Sequence, residues 1–223
     1  PKVFIVAGFS QIFKSELLQI PKLGTINLHA GKLPQYRGGS PLNWQLINGE
    51  VQAGVSVLKM DEGIDSGEVL AEAAFPIEEN DTIRDLHKKA NGLFPELVIK
   101  VLRNYDAGKY KGKLQKESEA CYWHQRNEGD GKINFSVMTA KQVLQTIRAL
   151  TKPYPGAWTI YKGHKVSFYE AKWPKFVIRG TPGRICYIQG QGPIIICSDQ
   201  GILIENYFCP SDSYLALEQG TFI

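Results

Sequence analysis

Apolar residues follow two rhythms along this chain, and the change between them outlines its organisation. The opening run Val3-Phe4-Ile5-Val6-Ala7, closed by Gly8, is continuously apolar, the pattern expected of a strand buried on both faces of a parallel sheet. Ser10 is placed to cap a short helix reaching Ile20, where Pro21 stops it. Gly24 to Leu28 reads as a second strand. Ser40, with Pro41 at the first helical position, opens a helix that ends near Asn48-Gly49. Gly54 to Met60 and Val69 to Ala74 read as further strands. A long helix starts at Asn80-Asp81-Thr82. Its apolar residues Ile83, Leu86, Ala90, Leu93, Phe94, Leu97, Val98, Val101 and Leu102 recur at a helical period, and Pro95 inside it predicts a kink.

From residue 106 to 131 the chain is rich in Gly, Lys, Glu, Asp and Asn and reads as a linker. Thr139 to Leu150 predicts one helix. Beyond Pro153-Tyr154-Pro155 the pattern shifts to short strands and turns: Thr159–Tyr161, Lys165–Tyr169, Gly183–Ile188, Ile194–Cys197 and Gly201–Ile204. Strands of this length and spacing predict a small β-barrel. The domains expected are therefore 1–120 and 121–223. No internal repeat or low-complexity tract is present.

Composition narrows the class. The chain is 43% hydrophobic and 22% charged, as in an ordinary globular protein. No apolar run is long enough to cross a bilayer, no signal-peptide pattern is found, and no membrane partner is expected. Cys121, Cys186, Cys197 and Cys209 are widely spaced, with no Cys-x-x-Cys pair and no His at metal spacing. They read as reduced thiols of a cytoplasmic protein, and no metal is expected. The net charge of +4 lies entirely in the second part: residues 121–223 carry 11 Lys and Arg against 7 Asp and Glu, and within 132–184 Glu170 is the only acid against ten bases. Such a face suits an anionic partner, nucleotide-sugar or nucleic acid, or is simply solvated.

The candidate chemistry lies earlier. In Gly24-Thr25-Ile26-Asn27-Leu28-His29-Ala30, residues two apart on a strand share a face. Asn27 and His29 therefore present an amide donor and an imidazole side by side at a strand end, where open α/β sheets place their sites. Asp65, in Met60-Asp61-Glu62-Gly63-Ile64-Asp65-Ser66-Gly67, offers a carboxylate to orient that imidazole. Together they equip acyl transfer without a covalent intermediate. Taken singly, His29 also fits a core histidine satisfied by a carbonyl, Asn27 a turn residue, and Asp65 an Asp-Ser-Gly turn. His87, His124 and His164 read as surface residues.

Asn27-Leu28-His29, followed by Leu33-Pro34, Tyr36-Arg37-Gly38 and the acidic loop ending at Asp65-Ser66-Gly67, resembles the 10-formyltetrahydrofolate-dependent formyltransferases. The likeness extends to Leu150-Thr151-Lys152-Pro153-Tyr154-Pro155-Gly156-Ala157-Trp158 in the second domain. It implies a Rossmann-like α/β catalytic domain followed by an OB-like domain, with 10-formyltetrahydrofolate as co-substrate. Asn27, His29 and Asp65 would be catalytic, and the folate would be read by Gln11, Ile12, Phe13 and the loop Asp61, Glu62, Gly63, Ile64, Asp65. No G-x-G-x-x-G or P-loop pattern competes with that reading. One departure is visible: the family usually has Ser where this chain has Gly31. The family also begins with β–α units ahead of the first strand seen here, so an amino-terminal portion is expected to precede this numbering.

Ser40-Pro41-Leu42-Asn43-Trp44 resembles sugar N-formyltransferases such as the one that modifies UDP-aminoarabinose. The acceptor expected on that basis is a nucleotide-linked amino sugar, with Arg37, Asn43 and Trp44 as substrate-binding residues. Methionyl-tRNA is the alternative acceptor. A formylfolate hydrolase and a non-catalytic binding module are further readings, and a homodimer is compatible with all of them.

Overall fold

The computed structural model describes residues 1–9, 11–209 and 216–223. The chain divides into two compact units. The first comprises Pro1–Gln45, Glu50–Glu79 and Asp85–Arg126; the second comprises Leu46–Gly49, Asn80–Arg84 and Asn127–Ile223.

The first unit is built on a four-stranded sheet: β1 (Phe4–Ala7), β2 (Thr25–His29), β4 (Gln52–Lys59) and β5 (Val69–Pro76), side by side in that order. Only β1 and β2 run parallel. Strand β4 is antiparallel to both β2 and β5, which corrects the expectation of a parallel sheet. The reason is plain for β4 and β5, since the short Met60–Glu68 loop allows a hairpin and not a crossover. The opening strand is also less buried than its run of apolar residues predicts. It is the edge of the described sheet, and Ile5 is 47% exposed while Val6 is buried. The centre follows expectation: Ala53, Val55 and Val57 of β4 and Ile26 of β2 are wholly buried.

The helices match unevenly. Helix α1 is a single turn, Ser15–Leu18, and the predicted cap Ser10 lies outside the described residues. Helix α2 covers Pro41–Ile47. Helix α3, Ile83–Asp106, runs on through Pro95 as one element. Its Leu86, Ala90, Leu97, Val101 and Tyr105 are buried at the predicted period. His87 is half-buried on it, not a surface residue, and burial lowers its pKa.

The stretch read as a linker is ordered against the first unit. Lys113 bridges to Val69 through two backbone hydrogen bonds of 2.9 Å. Further on, β6 (Tyr122–Trp123) pairs in parallel with β3 (Arg37–Gly38). Gly38 permits this approach: its φ is +95°, and a β-carbon there would strike the Trp123 carbonyl.

In the second unit α4 (Ala140–Leu150) lies on an antiparallel sheet of β7 (Ala157–Tyr161), β8 (His164–Lys172), β9 (Ile185–Ile188), β10 (Gln191–Ile196) and β11 (Gly201–Phe208). The order is β7-β8-β11-β10-β9. Among the described residues this is an open sheet, where closure into a barrel was expected. Val143, Ile147, Val166 and Phe168 are wholly buried, and Phe135 meets Phe168 edge to face.

The start of α4 is secured three ways. Thr139 Oγ1 accepts from Gln142 N (3.3 Å), Gln142 Oε1 accepts from Thr139 N (2.8 Å), and Asp199 Oδ1 accepts from Ala140 N (2.7 Å). Replacing Thr139 by Ala is expected to cost about 1 kcal/mol, read as a lower urea midpoint with an unchanged slope.

Candidate functional site

Strand β2 ends at His29, and its alternation puts Asn27 and His29 on one face. The loop after β4 brings Asp65 to meet them. Asn27 Nδ2 donates to Asp65 Oδ1 at 3.4 Å, and His29 Nδ1 stands 3.4 Å from Asp65 Oδ2. The closest hold on that carboxylate is a backbone one: Gly38 N donates to Asp65 Oδ2 at 2.9 Å. The three residues singled out in the sequence therefore converge, with Asp65 at their centre.

The imidazole is 5% exposed. Its Nε2 lies 2.6 Å from the Tyr36 carbonyl oxygen. A carbonyl only accepts, so Nε2 carries a proton. Both ring nitrogens thus face acceptors, and only the doubly protonated ring donates to both. The ring rests directly on Gly31, where a β-carbon would lie 2.6 Å from the Tyr36 carbonyl oxygen and 2.9 Å from His29 Cδ2. At the position of the departure noted above, this seat for the imidazole leaves no room for a side chain.

The Asp65 loop is organised from within and from behind. Asp61 Oδ1 accepts from Gly63 N (3.0 Å) and Ser66 Oγ (2.8 Å). Asp65 itself adopts φ +51°, a region that residues with a β-carbon seldom occupy. Gln115 Nε2 donates to the carbonyls of Asp65 and Gly67, each at 2.7 Å.

A cleft of about 390 Å³ opens at Asn27 and Asp65. One side is formed by Phe9, Gln11, Ile12, Phe13, Met60, Asp61, Gly63 and Ile64, the other by Gly38, Gly39, Trp123, His124 and Gln125. Of the residues expected to read the folate, Gln11, Ile12, Phe13, Asp61, Gly63, Ile64 and Asp65 line this cleft, whereas Glu62 does not. Ile12 is 72% exposed and Ile64 49%, an apolar surface beside loop backbone that suits a flat heterocycle with a polar edge. His29 does not line the cleft; Asp65 stands between it and the opening.

The expected acceptor residues are placed otherwise. The Arg37 side chain is wholly buried. Its guanidinium donates to Gln115 Oε1 (3.0 Å), to both oxygens of Glu117 (2.7 and 3.0 Å) and to Tyr122 Oη (2.7 Å). The Glu117 hydrogen bond holds the Arg37 pKa above its usual value, and the same bond lowers that of Glu117. Asn43 and Trp44 are buried; Trp44 Nε1 donates to the His124 carbonyl at 3.0 Å, and its ring lies 5.0 Å from that of Trp123. These three residues shape the wall from behind and do not line it. Trp123, His124, Gln125 and Gln115 escaped the sequence reading because they sit in a polar stretch. The aromatic cluster Tyr122-Trp123-His124 was the signal that could have found them.

Residues 1–102 match the formyl transferase family, and residues 126–211 match the formyl transferase C-terminal domain. The chain is 34% identical to the methionyl-tRNA formyltransferase of Clostridium tetani, over 98% of this chain and 70% of that protein. It is 36% identical to that of Geobacter sulfurreducens, over 92% of this chain and 63% of that protein. Among solved structures, HypX from Aquifex aeolicus in complex with tetrahydrofolic acid shares the fold with a TM-score of 0.73 at 23% identity, over 95% of this chain and 36% of that one. Relatives at 33–36% identity that carry the methionyl-tRNA name overturn the expectation of an amino-sugar acceptor, and the burial of Asn43 and Trp44 removes its structural ground. The chain spans 63–70% of the length of these relatives. With its fold, its cleft and these likenesses together, the chain belongs to the formyltransferase family.

Proposed function

We propose that the protein transfers a formyl group from 10-formyltetrahydrofolate to the amine of methionyl-tRNA. The observation that carries the acceptor is the likeness over 92–98% of this chain to enzymes named for that reaction. The excess of bases in residues 121–223 is in keeping with a polyanionic partner. In this reading the catalytic part runs from residue 1 to Arg126, and the remainder serves the acceptor.

The geometry supports a direct transfer. The amine attacks the formyl carbon, the carbonyl becomes a tetrahedral oxyanion, and the nitrogen turns positive. Asn27 faces the cleft with its amide nitrogen held toward Asp65, which leaves its second N–H for the oxyanion. Asp65, the one carboxylate of the three residues, meets the amine and takes its proton. His29 stands behind it, with both nitrogens turned to acceptors, and stabilises the charge that passes through Asp65. The tetrahedral intermediate collapses, the bond from carbon to the folate N10 breaks, and that nitrogen leaves with the proton that Asp65 took from the amine, which returns the carboxylate to its starting state. Distances of 3.4 Å are long for working hydrogen bonds and are expected to shorten when both substrates are bound.

Asn27→Ala is expected to lower kcat about 10²- to 10³-fold, with little change in the KM of the formyl donor. His29→Ala and Asp65→Ala should lose most of the turnover and keep the native near-ultraviolet circular dichroism. Wild-type turnover in either would remove its role. The acceptor is tested by the salt dependence of KM for charged initiator tRNA. The expected log–log slope is about 0.7–0.9 for each phosphate contacted, and a flat response would count against tRNA.

A further inference from the structure

We infer that Gln115 is a positioning residue for Asp65, and that the segment carrying it belongs to the catalytic machinery although it touches no reacting atom. The inference rests on the reading of Asp65 as the group that meets the amine.

The hydrogen-bond pattern around Gln115 admits one arrangement. Its Nε2 donates to the carbonyls of Asp65 and Gly67 at 2.7 Å each, which uses both amide hydrogens. Its Oε1 accepts from Arg37 Nε at 3.0 Å. Carbonyl oxygens only accept and a guanidinium only donates, so the amide cannot turn over. Arg37 is in turn fixed by Glu117 and Tyr122, and it is the neighbour in sequence of Gly38, whose N–H holds the Asp65 carboxylate. One strand therefore reaches Asp65 twice: by Gly38 to the side chain, and by Arg37 through Gln115 to the main chain.

Asp65 needs such a hold. Its backbone is in the left-handed region, at φ +51°, a conformation that surrounding contacts must maintain. Relaxation of the Asp65–Gly67 turn would swing the carboxylate away from Asn27, His29 and Gly38 together. Gln115 spans both ends of that turn.

The test is a double-mutant cycle in the full-length protein. Gln115→Met keeps length and bulk but removes all three hydrogen bonds; Gln115→Glu keeps the acceptor for Arg37 and removes both donors. Each is expected to lower kcat about 10- to 100-fold, the effect of misplacing a catalytic group, with KM for 10-formyltetrahydrofolate within about twofold of wild type, because Gln115 itself does not line the cleft. In an Asp65→Ala background the same changes should lower the residual rate by less than about twofold, since there is no carboxylate left to aim. The ¹⁵N resonances of the His29 ring should shift in Gln115→Met and stay in place in Lys88→Ala, an exposed control on α3. Equal losses in both backgrounds, unmoved His29 signals, or a Gln115→Glu variant with wild-type kcat would each overturn the positioning role. Wild-type turnover in Asp65→Ala alone would instead sink the reading of Asp65, whatever Gln115 does.

Discussion

The carboxylate of Asp65 ties three separate segments of the first unit to one point. Asn27 and His29 come from β2, Gly38 from β3, and Asp65 from the loop between β4 and β5. No element among these carries the site by itself. Strand β2 supplies direction, because alternation places its two polar residues on one face. The loop supplies the charge they share. Of the contacts to that charge, the shortest comes from a backbone N–H, that of Gly38 at 2.9 Å.

This arrangement separates the group that meets the substrate from the group that stabilises the charge. Asp65 lines the cleft and the imidazole does not. The ring is buried behind Asp65, with the Tyr36 carbonyl on its far side. The cleft itself has an apolar side built on Ile12, Phe13 and Ile64, and an aromatic side built on Trp123 and His124. The latter is backed by further rings: Tyr36 stacks on Trp123 at 5.7 Å, and Trp44 lies tilted to it at 5.0 Å.

Much of this was legible in the sequence, for physical reasons that differ by element. The face of α3 was readable because its burial follows the helical period, and the start of α4 because Thr139 and Gln142 cap each other at a recognisable spacing. The meeting of Asn27, His29 and Asp65 was readable because strand alternation put the first two on one face and the resemblance of the whole motif outweighed the other reading that each residue had singly. Strand direction was not, since a continuous apolar run is equally suited to parallel and antiparallel neighbours. Arg37 read as a ligand because a guanidinium beside a motif is normally solvent-facing; the carboxylate of Glu117 and the hydroxyl of Tyr122 that let it be buried lie far along the chain. Trp44 misled in the same way, for its indole N–H finds its partner in the His124 carbonyl. Gln115 carried no signal at all, because an amide in a polar stretch looks like any other.

The bare α-carbon at Gly31 links the histidine to the backbone in a way that composition does not reveal. Elsewhere in the site orientation is set by attraction, through donors and acceptors. At Gly31 it is set by exclusion, because the volume a β-carbon would fill is the volume against which the ring and the Tyr36 carbonyl close. Position 31 is thereby coupled to position 29 without any hydrogen bond between them. A methyl group introduced there would act as a wedge, tilting the imidazole off its carbonyl and turning its Nδ1 away from Asp65. In this backbone the two positions form a single unit of variation: the ring's present seat and a side chain at 31 are mutually exclusive.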